Sequence, residues 1–149
     1  MRAVAGALED GVVAHNSGDY ATALRLWRPL AEQGDAMAQS NLGDMYRAGQ
    51  GVPQDHAEAV KWFHLAAKQG FAGAQYNLGL MYGNGQGVPQ DYVRAYMWFN
   101  LATSRLPPGE DHDMAVNNRN AAADLMTPAQ IAEAQKLARQ WKPRDDRAD

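Results

Sequence analysis

Apolar positions recur along this chain at helical spacing. Ala23, Leu26, Trp27, Leu30 and Ala31 fall at i, i+3, i+4, i+7 and i+8. The same phase returns at Ala59, Trp62, Phe63, Ala66 and Ala67, and again at Ala95, Trp98, Phe99 and Ala102. Such a stripe is one face of an α-helix. Between these helices lies a second stripe, Ala38, Leu42, Met45 and Tyr46, which recurs as Ala74, Leu78, Met81 and Tyr82. Gly34 and Gly70 stand between the two helices of a unit, where a left-handed residue reverses the chain. The pattern therefore predicts antiparallel helix pairs. A single pair cannot bury both of its apolar faces, so the pairs must stack.

The stacking unit is a sequence repeat. Asp55 and Asp91 each close the heptapeptide Gly-Gln-Gly-Val-Pro-Gln-Asp, which sets a period of 36 residues. Residues 20–55 laid on 56–91 without a gap agree at 20 of 36 positions, far beyond chance, so one structure is written twice. Asp19, Asp55 and Asp91 precede the first helices and read as N-caps, with Glu58 completing a capping box at Asp55. Gly49, Gly51, Gly85 and Gly87 permit positive φ in the loops, and Pro53 and Pro89 hold extended backbone. These loops lack the Gly-Lys-Ser/Thr ending of a phosphate loop, so turn chemistry explains them.

Both ends depart from the repeat. Leu8 to Asn16 reads as a short amphipathic helix capping the first unit, closed by Ser17 and Gly18. After Pro107 and Pro108 a helix is expected from Glu110 to Leu125. Thr127, Pro128 and Gln130 then supply N-cap, N1 proline and N3 glutamine for a last helix that ends before Pro143. The expected organisation is a capping helix at 1–18, repeats at 19–55 and 56–91, a divergent third repeat with its cap at 92–141, and a frayed charged tail at 142–149. Pro29 breaks a local rule: it removes a bond to Arg25, and a kink is expected there, Leu65 being its unkinked counterpart.

Composition narrows the function classes. The chain is 46% hydrophobic and 21% charged with a formal charge of −3, and it has no basic block of the kind nucleic-acid binding needs. No run reaches the roughly 18 apolar residues of a membrane span. With no cysteine, disulfides, thiolate metal sites and a cysteine nucleophile are excluded. His15, His56, His64 and His112 are scattered without ligand spacing. The run Glu110, Asp111, His112, Asp113 fits a helix start better than a metal site. Trp27, Trp62 and Trp98 lie in core stripes, and no serine sits in a nucleophile elbow. Ala3-Val4-Ala5 has the outline of a signal cleavage site without the apolar stretch before it. Two compartments stay open: cytoplasmic, or periplasmic or secreted with the signal already removed.

The repeat resembles the Sel-one-like repeat family, a relative of the tetratricopeptide repeats. The resemblance rests on Ala-Glu-Gln-Gly-Asp-Ala-x-Ala-Gln (31–39), Asn-Leu-Gly-x-Met-Tyr (41–46) and the heptapeptide at 49–55, matched by 67–75, 77–82 and 85–91. It implies an all-α, right-handed α/α solenoid whose concave face holds other proteins. By similarity to tetratricopeptide repeats, the second helix of each pair lines that face. Its outward positions would be Met37, Ser40, Asp44 and Arg47, then Gly73, Tyr76, Leu80 and Asn84. These positions differ between the units while the packing positions agree. The Lys and Asn pair that clamps a terminal carboxylate in some tetratricopeptide domains is absent. Some cysteine-rich relatives act on β-lactams, but the cysteine framework is missing here, so that activity is not carried over. The expected function is a non-catalytic adaptor, without cofactor or metal, binding a peptide or partner protein. The chain itself is expected to be a monomer or weak homo-oligomer. A self-associating structural spacer and a hydrolase are the alternatives, in that order.

Overall fold

The computed structural model describes residues 2–144, with side chains described from Gly6 onward. Those residues form eight α-helices and no strand: α1 (Arg2–Asn16), α2 (Tyr20–Glu32), α3 (Ala36–Ala48), α4 (His56–Ala67), α5 (Ala72–Asn84), α6 (Tyr92–Arg105), α7 (Glu110–Ala123) and α8 (Pro128–Gln140). Each helix from α1 to α6 packs on the next, and α8 returns onto α6. The all-α repeat expected from the stripes is what forms. The N-terminal helix is longer than expected, because α1 reaches back to Arg2 rather than starting at Leu8. The expectation for the tail at residues 145–149 lies outside the described residues.

The caps show why the helices start where they do. Asp19, Asp55 and Asp91 each accept the backbone N–H three residues on, satisfying a donor that the first turn leaves unpaired. At Asp55 the box is half made: Glu58 turns instead to Lys61, one turn on, at 3.4 Å. Thr127 and Gln130 make both halves, with Pro128 in the first turn. Asp35 caps α3, whereas Phe71 at the matching place in α5 makes no such bond. Helix α2 carries Pro29 inside it on the exposed side, and helical bonding continues with Gln33 N–H on the Pro29 carbonyl at 3.1 Å.

Interhelical loops repeat as faithfully as the helices. Asp55 N–H reaches the Tyr46 carbonyl and Asp91 N–H reaches that of Tyr82, both at 2.9 Å. The Gln54 amide donates to the Arg47 carbonyl and that of Gln90 to Gly83, again both at 2.9 Å. At Gly87 (φ 75°) a Cβ would lie 2.4 Å from the His56 carbonyl oxygen, so the loop rests directly on the start of α4 and only glycine fits.

The core is built from a small residue facing a ring. A Cβ added to Gly43 would meet the Phe63 ring at 2.6 Å, and one on Gly79 would meet Phe99 at 2.5 Å. Gly11 repeats this arrangement against Trp27, whose buried indole N–H donates to the Leu8 carbonyl. Helix α1 thus packs on α2 as α3 packs on α4 and α5 on α6. Between units, buried Gln39 donates to the Ala31 carbonyl and accepts from Gln69, whose amide also reaches the Gly34 carbonyl. Gln75 repeats the first bond, to Ala67. Its Oε1 has no partner, because Arg105 stands where the next glutamine would be.

Candidate functional site

The odd-numbered helices form one row and the even-numbered helices the other. The eight sequence-predicted site residues all lie on α3 and α5 of the odd row. Met37, Arg47, Gly73 and Asn84 are exposed, and Asp44, Tyr76 and Leu80 are half-buried. Ser40 is not on the surface, at 5% exposure.

Three of the eight are brought into clefts between neighbouring helices of the row. Gly73 and Tyr76 line a cleft of about 190 Å³ with Asn77, Leu106, Asp111 and Met114. One wall of this cleft is therefore α7. Asp44 lines a second cleft, of about 200 Å³, with Val12, His15, Asn16, Trp27 and Asn41. Leu80 instead leans on the buried core, and Arg47 folds back on Asp44 at 3.0 Å.

Asn41 and Asn77 were not singled out by sequence reasoning, yet each lines one of the two clefts, Asn41 opposite α1 and Asn77 opposite α7. They are the asparagines of Asn-Leu-Gly-x-Met-Tyr, 36 residues apart, and their repetition reads as scaffold. Each is half-buried. Among the described residues, neither side-chain amide takes part in any of the hydrogen bonds that hold the helices together. A periodic polar residue without an internal partner is the signal that separates them from Gln39 and Gln75, which are periodic and bonded.

The Tyr76 ring packs at 5.8 Å from Phe99, and its hydroxyl accepts from Asn118 of α7 at 3.0 Å. Burial, seconded by the negative charge of Asp111 and opposed by the Asn118 bond, holds the Tyr76 hydroxyl above the ordinary tyrosine range. Tyr76 is thus neutral and fixed. The cleft combines a fixed phenol, two aliphatic walls (Leu106 and Met114), a free amide and a carboxylate. It therefore offers polar and apolar contacts side by side, and among its described lining residues no nucleophile stands with a base. Among the described residues no three His, Asp or Glu side chains converge on a point that could hold a metal ion. No described helix is long and apolar enough to cross a membrane.

Stacked helix pairs with a glycine facing a ring in every unit define an α/α solenoid repeat protein. The Sel1 repeat model matches three tandem stretches, 4–35, 36–71 and 72–105, and the chain belongs to the Sel1 repeat family. Each matched unit opens on an odd-numbered helix and closes on an even one, so α1 counts as a repeat helix. The fold is similar to that of a protective antigen of uropathogenic Escherichia coli displaying an SLR fold. That likeness has a TM-score of 0.85 at 30% identity and covers 93% of this chain and 29% of the other. A Sel1 repeat protein from Oxalobacter formigenes is similar at a TM-score of 0.64 and 29% identity, covering 87% of this chain and 60% of the other. This chain spans less than two thirds of either. No curated protein matches it. Sel1 repeat folds are typically protein-interaction scaffolds.

Proposed function

We propose that the odd-numbered row is the binding face of a non-catalytic adaptor, and that it holds a short segment of a partner protein across its two clefts. The observation that carries this reading is the pair Asn41 and Asn77, one per unit, each lining its cleft with an unengaged amide. An amide offers one donor and one acceptor side, the complement of a peptide group, and a repeat of such amides reads main chain without demanding a sequence. Tyr76, Leu106 and Met114 supply the apolar contact for one side chain. Asp44 and Asp111 favour a basic neighbour. Of the eight sequence-predicted positions, Gly73, Tyr76 and Asp44 are central to this face, Met37, Arg47, Leu80 and Asn84 form its rim, and buried Ser40 takes no part.

The test is a random peptide library displayed on phage and selected on the native chain. Selected peptides are expected to pair an aliphatic residue with a Lys or Arg. Their affinity should fall about tenfold in Asn41→Ala/Asn77→Ala, since two hydrogen bonds together contribute about 1–3 kcal/mol. Tyr76→Ala/Leu80→Ala should weaken them similarly. Undiminished affinity in both double variants, each still helical by circular dichroism, would remove this face as the site.

A further inference from the structure

Every described helix but one contributes to the two apolar clusters that make the core, and the exception is α7. It buries only Ala115 and Ala122, side chains that remove little apolar area from water. The helix after it is docked elsewhere. Helix α8 returns onto α6, with Ala138 in the core and Trp141 edge-to-face on Trp98 at 6.2 Å between ring centroids. Helix α7 is therefore a strap between two anchored helices. A plain terminal cap would share the core, as α8 does.

The ties that α7 makes to other helices are few and polar. Asn118 donates to the Tyr76 hydroxyl of α5 at 3.0 Å, and Arg119 to the Asn100 side chain of α6 at 3.1 Å. Among the described residues no ion pair joins α7 to another helix, and His112 faces Asp113 of its own first turn. The joint before it is open. Gly109 (φ 153°) supplies no side-chain cap, and a Cβ there would meet nothing within 4 Å. Pro107 and Pro108 beside it are exposed and have no backbone N–H to donate. At the far end Leu125 is 64% exposed in the turn to α8. Few buried apolar contacts and exposed joints place a segment at the low end of local stability.

The position of α7 gives its opening a consequence. Asp111 and Met114 wall the Tyr76 cleft, and Asn118 holds the phenol. When α7 lifts, the cleft loses that wall and the hydroxyl loses its donor. We propose that α7 is a lid on the Tyr76 cleft: it opens about 106–109 and 124–127 while α8 stays docked, and it closes over a bound segment of the partner. The closure over a partner rests on the odd-row reading; the opening does not. A bound segment would touch Met114 and Asp111 from the cleft side. Those contacts exist only in the closed form, so occupancy draws α7 shut.

Hydrogen exchange of the backbone amides, followed by NMR on the full chain, tests the lid. The amides of Met114 to Ala123 are expected to exchange at least about 100-fold faster than those of α5, α6 and α8, at rates that low urea leaves unchanged. Uniform protection from α5 to α8 would overturn the proposal, and so would α7 and α8 exchanging together. Tyr76→Phe keeps the ring and removes the Asn118 bond. It should speed α7 exchange about fivefold and leave α3 and α5 as they were; an unmoved α7 rate would sink the lid as described. The peptide recovered most often from the phage selection, at saturating concentration, should slow α7 exchange at least about tenfold without altering α8. Unchanged α7 rates with that peptide bound would overturn the closure. Failure of the odd-row reading is distinct: the selection then yields no peptide, or one that binds both double variants undiminished. The closure falls with it, while the rates of the free chain still decide the opening.

Discussion

At the scale of single residues, the repeated polar positions divide into two kinds. Gln39 and Gln69 are spent on holding units together. Replacing Gln69 by Ala would leave the buried Gln39 Oε1 without a donor, and a loss of about 1–3 kcal/mol in denaturant unfolding is expected. Asn41 and Asn77 have the same periodicity and no such duty, as the proposed binding role requires. Tyr76 adds a pH signature. Its hydroxyl stays protonated in the folded chain at pH values where the unfolded chain has begun to ionise, so the folded state binds more protons there. Its contribution to stability is therefore present below about pH 10 and lost as pH rises through the folded value. Thermal unfolding followed between neutral pH and pH 11 should show a smaller alkaline decline in Tyr76→Phe than in the parent.

Among the elements, the contact that defines the packing is glycine against an aromatic ring. Ala would gain about 1 kcal/mol in helix propensity over Gly. At Gly79 that gain is outweighed, because the new Cβ would sit 2.5 Å from the Phe99 ring in a core with no room to shift. Gly79→Ala is expected to destabilise by about 1–3 kcal/mol, and Gly79→Ala/Phe99→Leu should recover part of it, both measured as denaturant midpoints. Helix α1 shows the same logic from the other direction. Gly11 faces Trp27 as the later glycines face phenylalanine, so α1 belongs to the repeat. On its other side Asp10 and Val13 stand where α3 buries Leu42 and Met45 against α2.

For the molecule as a whole, that substitution governs self-association. Val13 is 68% exposed, but Asp10 beside it would be buried without a partner if another copy stacked there, at a cost of several kcal/mol. Sedimentation is therefore expected to show a monomer up to high concentration. A weight-average mass that rises with concentration would favour the structural-spacer reading.

The sequence by itself determined the helices, their caps, the period and the pairing. Those depend on residues three, four or 36 positions apart, relations that a one-dimensional pattern records. It also pointed to α3 and α5 as the row now proposed to bind. It did not reveal that α7 walls the Tyr76 cleft, that Ser40 turns inward, or that α1 is a repeat helix with a shortened loop. Those facts depend on how helices without a shared period sit against one another. The cleft between α4, α6 and the chain leaving α8 is the plainest case: His64, Arg94 and Lys142, which line it, are far apart in sequence and belong to no motif. Only packing α8 back onto α6 brings them to one cleft.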